Sequence, residues 1–446
     1  MLEEATNKLV PRGSRKAAGQ FAGSKGEFES PMTDKKKKVG FILNTLLLFL
    51  IGVHVSFNPF PQLTAIQEIS FYGSVLVLVV LLSLRKTTFS FKTPLTTPFI
   101  LFVLWACFGL FFALNKPNTI HDIYAHLLKY LTVFFLLVNY FHSFKRFEIL
   151  RNLIILSTAV FALYLPIYFY VILGKPFAVK LGYIMPWEIP SNFISVLTIF
   201  ALLLTLNIYN FKGLKTYKLI SLLPASILIF TTLTTKTRAA IPALIVAVVA
   251  CFITNKKMMA VLLVSFLLIV SLMPVGDRFT PTDLASKLST DDRVNIWYTF
   301  WEIIKEHPVT GIGYGIQTYD DDNFLHKYNQ RVPSQYRQPV PHRSPHNFYV
   351  DITVRMGFVG LAIFIFIIYR VLRMARDIMK YGRNRFVKKW ALCLIAALLA
   401  WLIQGIFEST VSGPAAMIFF MILAMMTILW NLREQEEPAL EGLSET

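Results

Sequence analysis

Pro341-His342-Arg343-Ser344-Pro345-His346-Asn347-Phe348-Tyr349 is the stretch on which the reading of this chain turns, because it is the last polar segment before an apolar run over residues 347–375. A bilayer core about 30 Å thick takes roughly 20 apolar residues of helix, so that run reads as a membrane span opening at Asn347. A titratable imidazole and an amide, set just after a proline at the lip of a span, place acid–base chemistry at a membrane surface. His346 is therefore the candidate reactive centre.

Outward from this stretch the composition agrees. Of 446 residues 55% are hydrophobic and 16% charged, against about a quarter charged in soluble domains. About twelve apolar runs succeed one another, at 39–58, 68–84, 97–115, 123–142, 152–173, 191–209, 217–235, 238–254, 258–275, 347–375, 389–407 and 413–431. The expected fold is an all-α polytopic membrane protein. Residues 1–31 read as an expression tag or linker, with a protease site at Leu9-Val10-Pro11-Arg12-Gly13-Ser14, and Met32 as the native start. Residues 32–275 then hold nine spans, 276–345 one large loop domain with amphipathic helices, 346–431 three further spans, and 432–446 a tail.

The net charge of +18 does not mark a nucleic-acid binder, because the basic residues do not share one soluble surface. They sit in alternate connectors, at Lys35–Lys38, Arg85/Lys86/Lys92, Lys145/Arg146/Arg151, Lys212/Lys215/Lys218, Lys256/Lys257 and Arg370–Lys389. The positive-inside rule turns those connectors to the cytoplasm. An even number of spans puts both termini there and the long loop outside. Cys107, Cys251 and Cys393 lie within apolar runs and read as buried free thiols. The absence of a visible internal repeat speaks against a secondary transporter.

Within the loop, Asp291 to Glu306 has the spacing of an amphipathic helix, with Val294, Trp297, Phe300, Trp301 and Ile304 on its apolar stripe. Thr290, Asp291 and Asp292 form the start signal and Pro308 the stop. Arg293 and His307 fall on the stripe, so Arg293 is expected to point toward the protein. Gly311-Ile312-Gly313-Tyr314-Gly315 lacks the preceding strand of a dinucleotide site; as a turn it would bring Arg293 near His346. Asp320-Asp321-Asp322-Asn323 reads as a solvated loop or as a divalent-cation cluster. His342 and His346 are separated by Pro345 and have no evident third ligand, so no metal site is assigned to them. Arg238 follows Thr234-Thr235-Lys236-Thr237 in a short external turn, as a snorkelling helix-end cation or as an anion clamp. Lys129 and His126 lie inside an apolar run and are expected to face the bundle interior.

Three motifs in this order resemble the O-antigen ligase and polymerase superfamily of bacterial membrane glycosyltransferases. They are Thr237-Arg238-Ala239, then Arg293 and Trp297 leading to His307-Pro308 with Gly311 and Gly313, then His346-Asn347 with Gly357 and Gly360. Ala239 stands where many members carry glycine, and Arg355 where an acidic residue is common. The resemblance implies a GT-C-like fold in the bacterial inner membrane with a periplasmic active site. It also implies a glycan donor linked to undecaprenyl pyrophosphate, a lipid A-core acceptor and no metal or other cofactor. His346 would be the catalytic base, Arg238 and Arg293 the pyrophosphate clamp, and Asn347, Arg343 and Lys129 further substrate contacts. An O-antigen polymerase and a protein O-oligosaccharyltransferase are the alternatives within the superfamily, and a lipid-linked glycan transporter the alternative outside it.

Overall fold

Backbone amides inside a bilayer have no water to bond to, so apolar runs fold as helices. The computed structural model describes residues 31–182, 189–211, 215–272, 292–410 and 413–435, and every element among them is helical. The leader, the start signal at Thr290 and Asp291, and the tail beyond 435 lie outside the described residues.

Among the described residues nine helices are long and apolar enough to cross a membrane: Lys38–Phe57, Pro61–Ser83, Lys116–Tyr140, Phe144–Ile172, Ser191–Asn210, Lys215–Thr234, Phe348–Tyr381, Arg385–Gly405 and Gly413–Leu432. The chain is an all-α polytopic membrane protein. Three of the twelve expected spans are shorter helices, Thr96–Phe111, Ala240–Phe252 and Lys256–Leu272. At about 1.5 Å per residue the 13 residues of Ala240–Phe252 reach only about 20 Å. Hydropathy overran them because it does not register turns. Leu114 N donates to Ile312 O at 3.0 Å, and Asn115 Oδ1 accepts from Asn118 N at 3.0 Å, which starts the next helix at Lys116. Residues 116–122, expected as connector, are thus helical.

Ser191–Leu206 and Gly413–Leu432 are buried on nearly every side, as central helices are. Ala240–Phe252 packs against Arg385–Gly405. Both bury small residues, Ala240, Ala243 and Ala247 on one and Ala396, Ala397 and Ala400 on the other, which lets helix backbones approach closely. The basic connectors converge on one end of the bundle. Ser90 N bonds Asn139 Oδ1 at 2.8 Å, Asn210 Nδ2 bonds Cys251 O at 3.2 Å, and Arg383 N bonds Arg433 O at 2.9 Å. Arg370 Nε reaches Pro94 O at 3.1 Å, and Lys389 Nζ bonds Asn210 O.

The Phe348–Tyr381 helix, expected as one continuous span, is broken at Gly357, where φ is +67°. The backbone there bonds outward. Val354 O accepts from Ile312 N at 2.9 Å, Arg355 O from Gly313 N at 3.0 Å, Met356 O from Trp105 Nε1 at 2.8 Å, and Phe358 N donates to Pro308 O at 2.8 Å. The glycine-rich turn thus satisfies the broken helix. A second small core, including Ile296, Phe300, Ile303, Leu325, Tyr328 and Val354, holds the Asp292–Glu306 and Asp322–Asn329 helices over the break. The buried face of Asp292–Glu306 runs through Ile296, Phe300, Ile303 and Ile304. Val294 and Trp301, expected on it, are 42% and 49% exposed, because the face that meets Val354 is turned away from them.

A Cβ on Gly357 would lie 1.9 Å from Val309 O, whereas one on Gly174, also at positive φ (+61°), would meet nothing within 4 Å. Left-handed backbone costs a non-glycine residue about 1–3 kcal/mol. Gly174→Ala should therefore lower the melting temperature of the detergent-purified protein slightly, and Gly357→Ala by several degrees more. Equal melting of the two variants would remove the close approach as a structural requirement.

Candidate functional site

His346 precedes the helix cap, and the fold holds it at φ +45°, a conformation that costs a non-glycine residue energy and clusters at functional sites. Ser344 Oγ accepts from His346 N at 3.3 Å. The next residue, Asn347, is 8% exposed and caps the helix, its Oδ1 accepting from Tyr349 N at 2.9 Å and Val350 N at 3.1 Å. With that oxygen committed to the backbone, Asn347 has only its amide N–H groups to offer a substrate.

The His346 ring lies between two partners. Its Nδ1 is 3.0 Å from Glu408 Oε1 and its Nε2 is 3.3 Å from His342 Nε2. His346 and Glu408 side chains are 25% and 23% exposed, shielded from bulk water but open to a ligand. Burial works to raise the Glu408 pKa, but the His346 contact, the Asn192 amide on Oε2 and the Ser409 backbone together hold it below the usual range. Glu408 is thus an acceptor for an Nδ1 proton. Burial first, and then the charge of His346, lower His342. His342 Nδ1 accepts from Ser344 N at 3.3 Å, so its own proton belongs on Nε2, facing His346. The chain of donors then runs from Ser344 N through His342 and His346 to Glu408, and leaves the His346 Nε2 lone pair as the acceptor.

Arg293 reaches the same place. Its guanidinium lies 5.7 Å from the ring centroid of Phe407, the neighbour of Glu408. One turn further along the helix, Trp297 Nε1 donates to Pro345 O at 2.9 Å, which ties the helix to the backbone just before His346. Arg238 is exposed and lies at the same end of the bundle. Cys251, at the far end of the Ala240–Phe252 helix, bonds Asn210 among the basic connectors. On the Lys215–Thr234 helix, which leads toward Arg238, Thr232 Oγ1 bonds Thr198 Oγ1 at 2.8 Å, and Ser195 Oγ bonds Gln404 Oε1 at 2.7 Å. That layer continues to Asn192 and Glu408.

The other candidates are placed differently. Arg343 forms a bidentate pair with Asp322, at 3.0 Å and 2.9 Å. The Arg343 hydrogen bond is the chief cause of the lowered Asp322 pKa. Asp321 caps the Asp322–Asn329 helix through Asn323 N and Phe324 N, so Asp321 and Asp322 serve structure. Lys129 bonds Glu68 and lies 5.3 Å from the centre of the Phe71 ring. On the same stretch of chain, His121 and His126 both face Asp122.

Glu408 and Asn192 are the site residues that sequence reasoning passed over. The signal for Glu408 was present: Phe407-Glu408-Ser409-Thr410 is a polar turn between two apolar runs on the side opposite the basic connectors. Asn192, one residue into an apolar run, carried no such mark.

No curated protein matches the chain. A family model described as O-antigen ligase matches residues 220–365, a span that contains Arg238, Arg293, Arg343, His346 and Asn347 but neither Lys129 nor Glu408. The chain is therefore a multi-pass membrane protein that carries, at residues 220–365, a glycosyltransferase-like domain matching the O-antigen ligase family, of ligase or polymerase type.

Proposed function

We propose that this protein is an O-antigen ligase: it transfers a glycan from undecaprenyl pyrophosphate to a hydroxyl of the lipid A core, on the periplasmic face of the bacterial inner membrane. The observation that carries the reading is the Glu408–His346–His342 chain beside Arg293. A sugar hydroxyl is a weak nucleophile until its proton is removed as the new bond forms. His346 Nε2 is the base. The acceptor hydroxyl takes the place of the His342 N–H at Nε2, its oxygen bonds to the anomeric carbon, and its proton passes to the imidazole. The resulting imidazolium is stabilised by the Glu408 carboxylate on Nδ1, as in carboxylate–histidine pairs generally. The bond from the anomeric carbon to the phosphate oxygen breaks at the same time, which inverts the configuration and releases undecaprenyl pyrophosphate.

Arg293 and Arg238 meet the charge that builds on the departing pyrophosphate. Hydrogen bonds from charged donors contribute about 1.5–3 kcal/mol each, and a guanidinium fits phosphate oxygens two at a time. Arg293 lies over the Phe407 ring, and a cation held by an aromatic ring keeps N–H groups available for a ligand.

Purified protein supplied with carrier-linked glycan and lipid A core should form the ligated product. A positioned base contributes about 10²–10⁴-fold, so His346→Ala should fall by at least that lower factor, and Arg293→Ala and Arg238→Ala should weaken donor binding. Full turnover by His346→Ala ends the base assignment; product formed only on a second carrier-linked glycan would make the protein a polymerase.

The Glu408 pair has its own signature. A carboxylate with a lowered folded pKa adds stability above its unfolded pKa, near 4.5, and loses it as pH falls through the folded value. Thermal melts of wild type and Glu408→Gln should differ most above pH 5 and converge in acid, and the variant should lose about 10-fold or more in rate. A constant gap in melting temperature from pH 7 to pH 3 would deny Glu408 this role.

A further inference from the structure

One cluster of metal-ligating side chains remains outside the chemistry above. His121, Asp122 and His126 each offer one ligand atom, and those atoms lie within 4.8 Å of one another. We propose that these three residues form a divalent transition-metal site, with Zn²⁺ as its reference ion.

His121 Nδ1 lies 2.9 Å from Asp122 Oδ1, and His126 Nε2 lies 3.6 Å from the same oxygen. Zinc binds nitrogen and oxygen at about 2.0–2.2 Å in a tetrahedron, whose edges are then about 3.3–3.5 Å. Those two separations bracket that edge. The surroundings are those of oriented ligands. Asp122 is 2% exposed, and its Oδ2 accepts from Ile316 N at 2.6 Å, which turns Oδ1 toward the imidazoles. His126 Nδ1 lies 3.4 Å from Tyr130 Oη, which is itself 3.4 Å from Gly413 O. Such an outer partner sets the tautomer that presents Nε2 to an ion.

The nearby cations are otherwise engaged, Lys129 with Glu68 and Arg355 with the Tyr314 carbonyl and ring. The His121 side chain is 54% exposed, which gives an ion a path in and leaves its fourth position to water. The six-residue π-helical segment Ile123–Leu128 carries His126; such segments occur often at functional sites.

The site would secure a joint of the fold. Besides the Asp122 bond, Thr119 Oγ1 accepts from Gly315 N at 3.2 Å and Asn118 Oδ1 from Gln317 N at 2.9 Å. An ion on Asp122 would stiffen the attachment of the glycine-rich turn that closes the break at Gly357. Its role is structural, and the sugar transfer proposed above does not pass through it.

The test is metal binding by the full chain in detergent, stripped with chelator and returned to Zn²⁺ or Co²⁺. One ion per chain, visible Co²⁺ bands of a low-coordinate site, and a melting temperature that climbs with Zn²⁺ concentration are expected. His126→Gln and the exposed, fold-neutral His121→Gln should each weaken binding at least 10-fold, while His346→Ala leaves it unchanged. Less than one ion per chain, or equal binding by both glutamine variants and wild type, overturns the proposal and leaves two histidines bonded to a carboxylate. Loss with His346→Ala would move the ion to the His342–His346 pair, and overturns it too.

Discussion

The constraint on which the rest of the structure depends is that a helix broken inside an apolar bundle must find new partners for its backbone. An unmatched amide or carbonyl in such surroundings costs several kcal/mol. At Gly357 the partners come from residues 308–313 and from Trp105. One set of hydrogen bonds therefore fixes the short first segment of the Phe348–Tyr381 helix, the glycine-rich turn and the end of the Asp292–Glu306 helix. His346 lies just ahead of that first segment, and Arg293 sits on the helix that leads into the turn. Their proximity follows from the repair of a broken helix.

A second consequence concerns rigidity. Catalytic groups act best when their geometry is set before substrate arrives. Here Asn347 caps the helix, Trp297 holds the Pro345 carbonyl, and Glu408 is held in turn by Asn192. His346 keeps a positive φ within this frame. The frame draws on four stretches of chain, around residues 192, 297, 346 and 408, so the imidazole is positioned by tertiary structure and not by its own loop.

Much of this was legible in the sequence. Apolar runs of about the length a bilayer needs marked the helices, and a polar stretch ending in His346 marked the end of the bundle where chemistry can meet water. The period of residues 291–306 placed Arg293 on an inward face. What escaped were features that depend on pairing across the fold. Gly357 lay within a run read as one continuous span because the groups that permit the break, in residues 308–313 and at Trp105, are distant in sequence. Arg343 resembled Arg238 and Arg293 in type, and only its pairing with Asp322 separates it from them. Asn347 stood beside His346 and so invited a substrate role, while its oxygen serves the helix terminus.

The electrostatic layout gives Arg293 a different standing from several other cations among the described residues. Lys129 has Glu68, Arg343 has Asp322, and Arg331 has Glu306. A cation already matched by a carboxylate offers an incoming phosphate little net attraction. Arg293, among the described residues, has an aromatic face in place of a carboxylate, although Glu408 follows Phe407 directly. Glu408 is matched instead by His346 and Asn192. A guanidinium over an aromatic ring keeps its positive charge, while the Glu408 carboxylate accepts from the His346 imidazole. A direct Arg293–Glu408 pair would cancel that charge and compete for the carboxylate, whereas Arg293 lies over Phe407 and Glu408 faces His346.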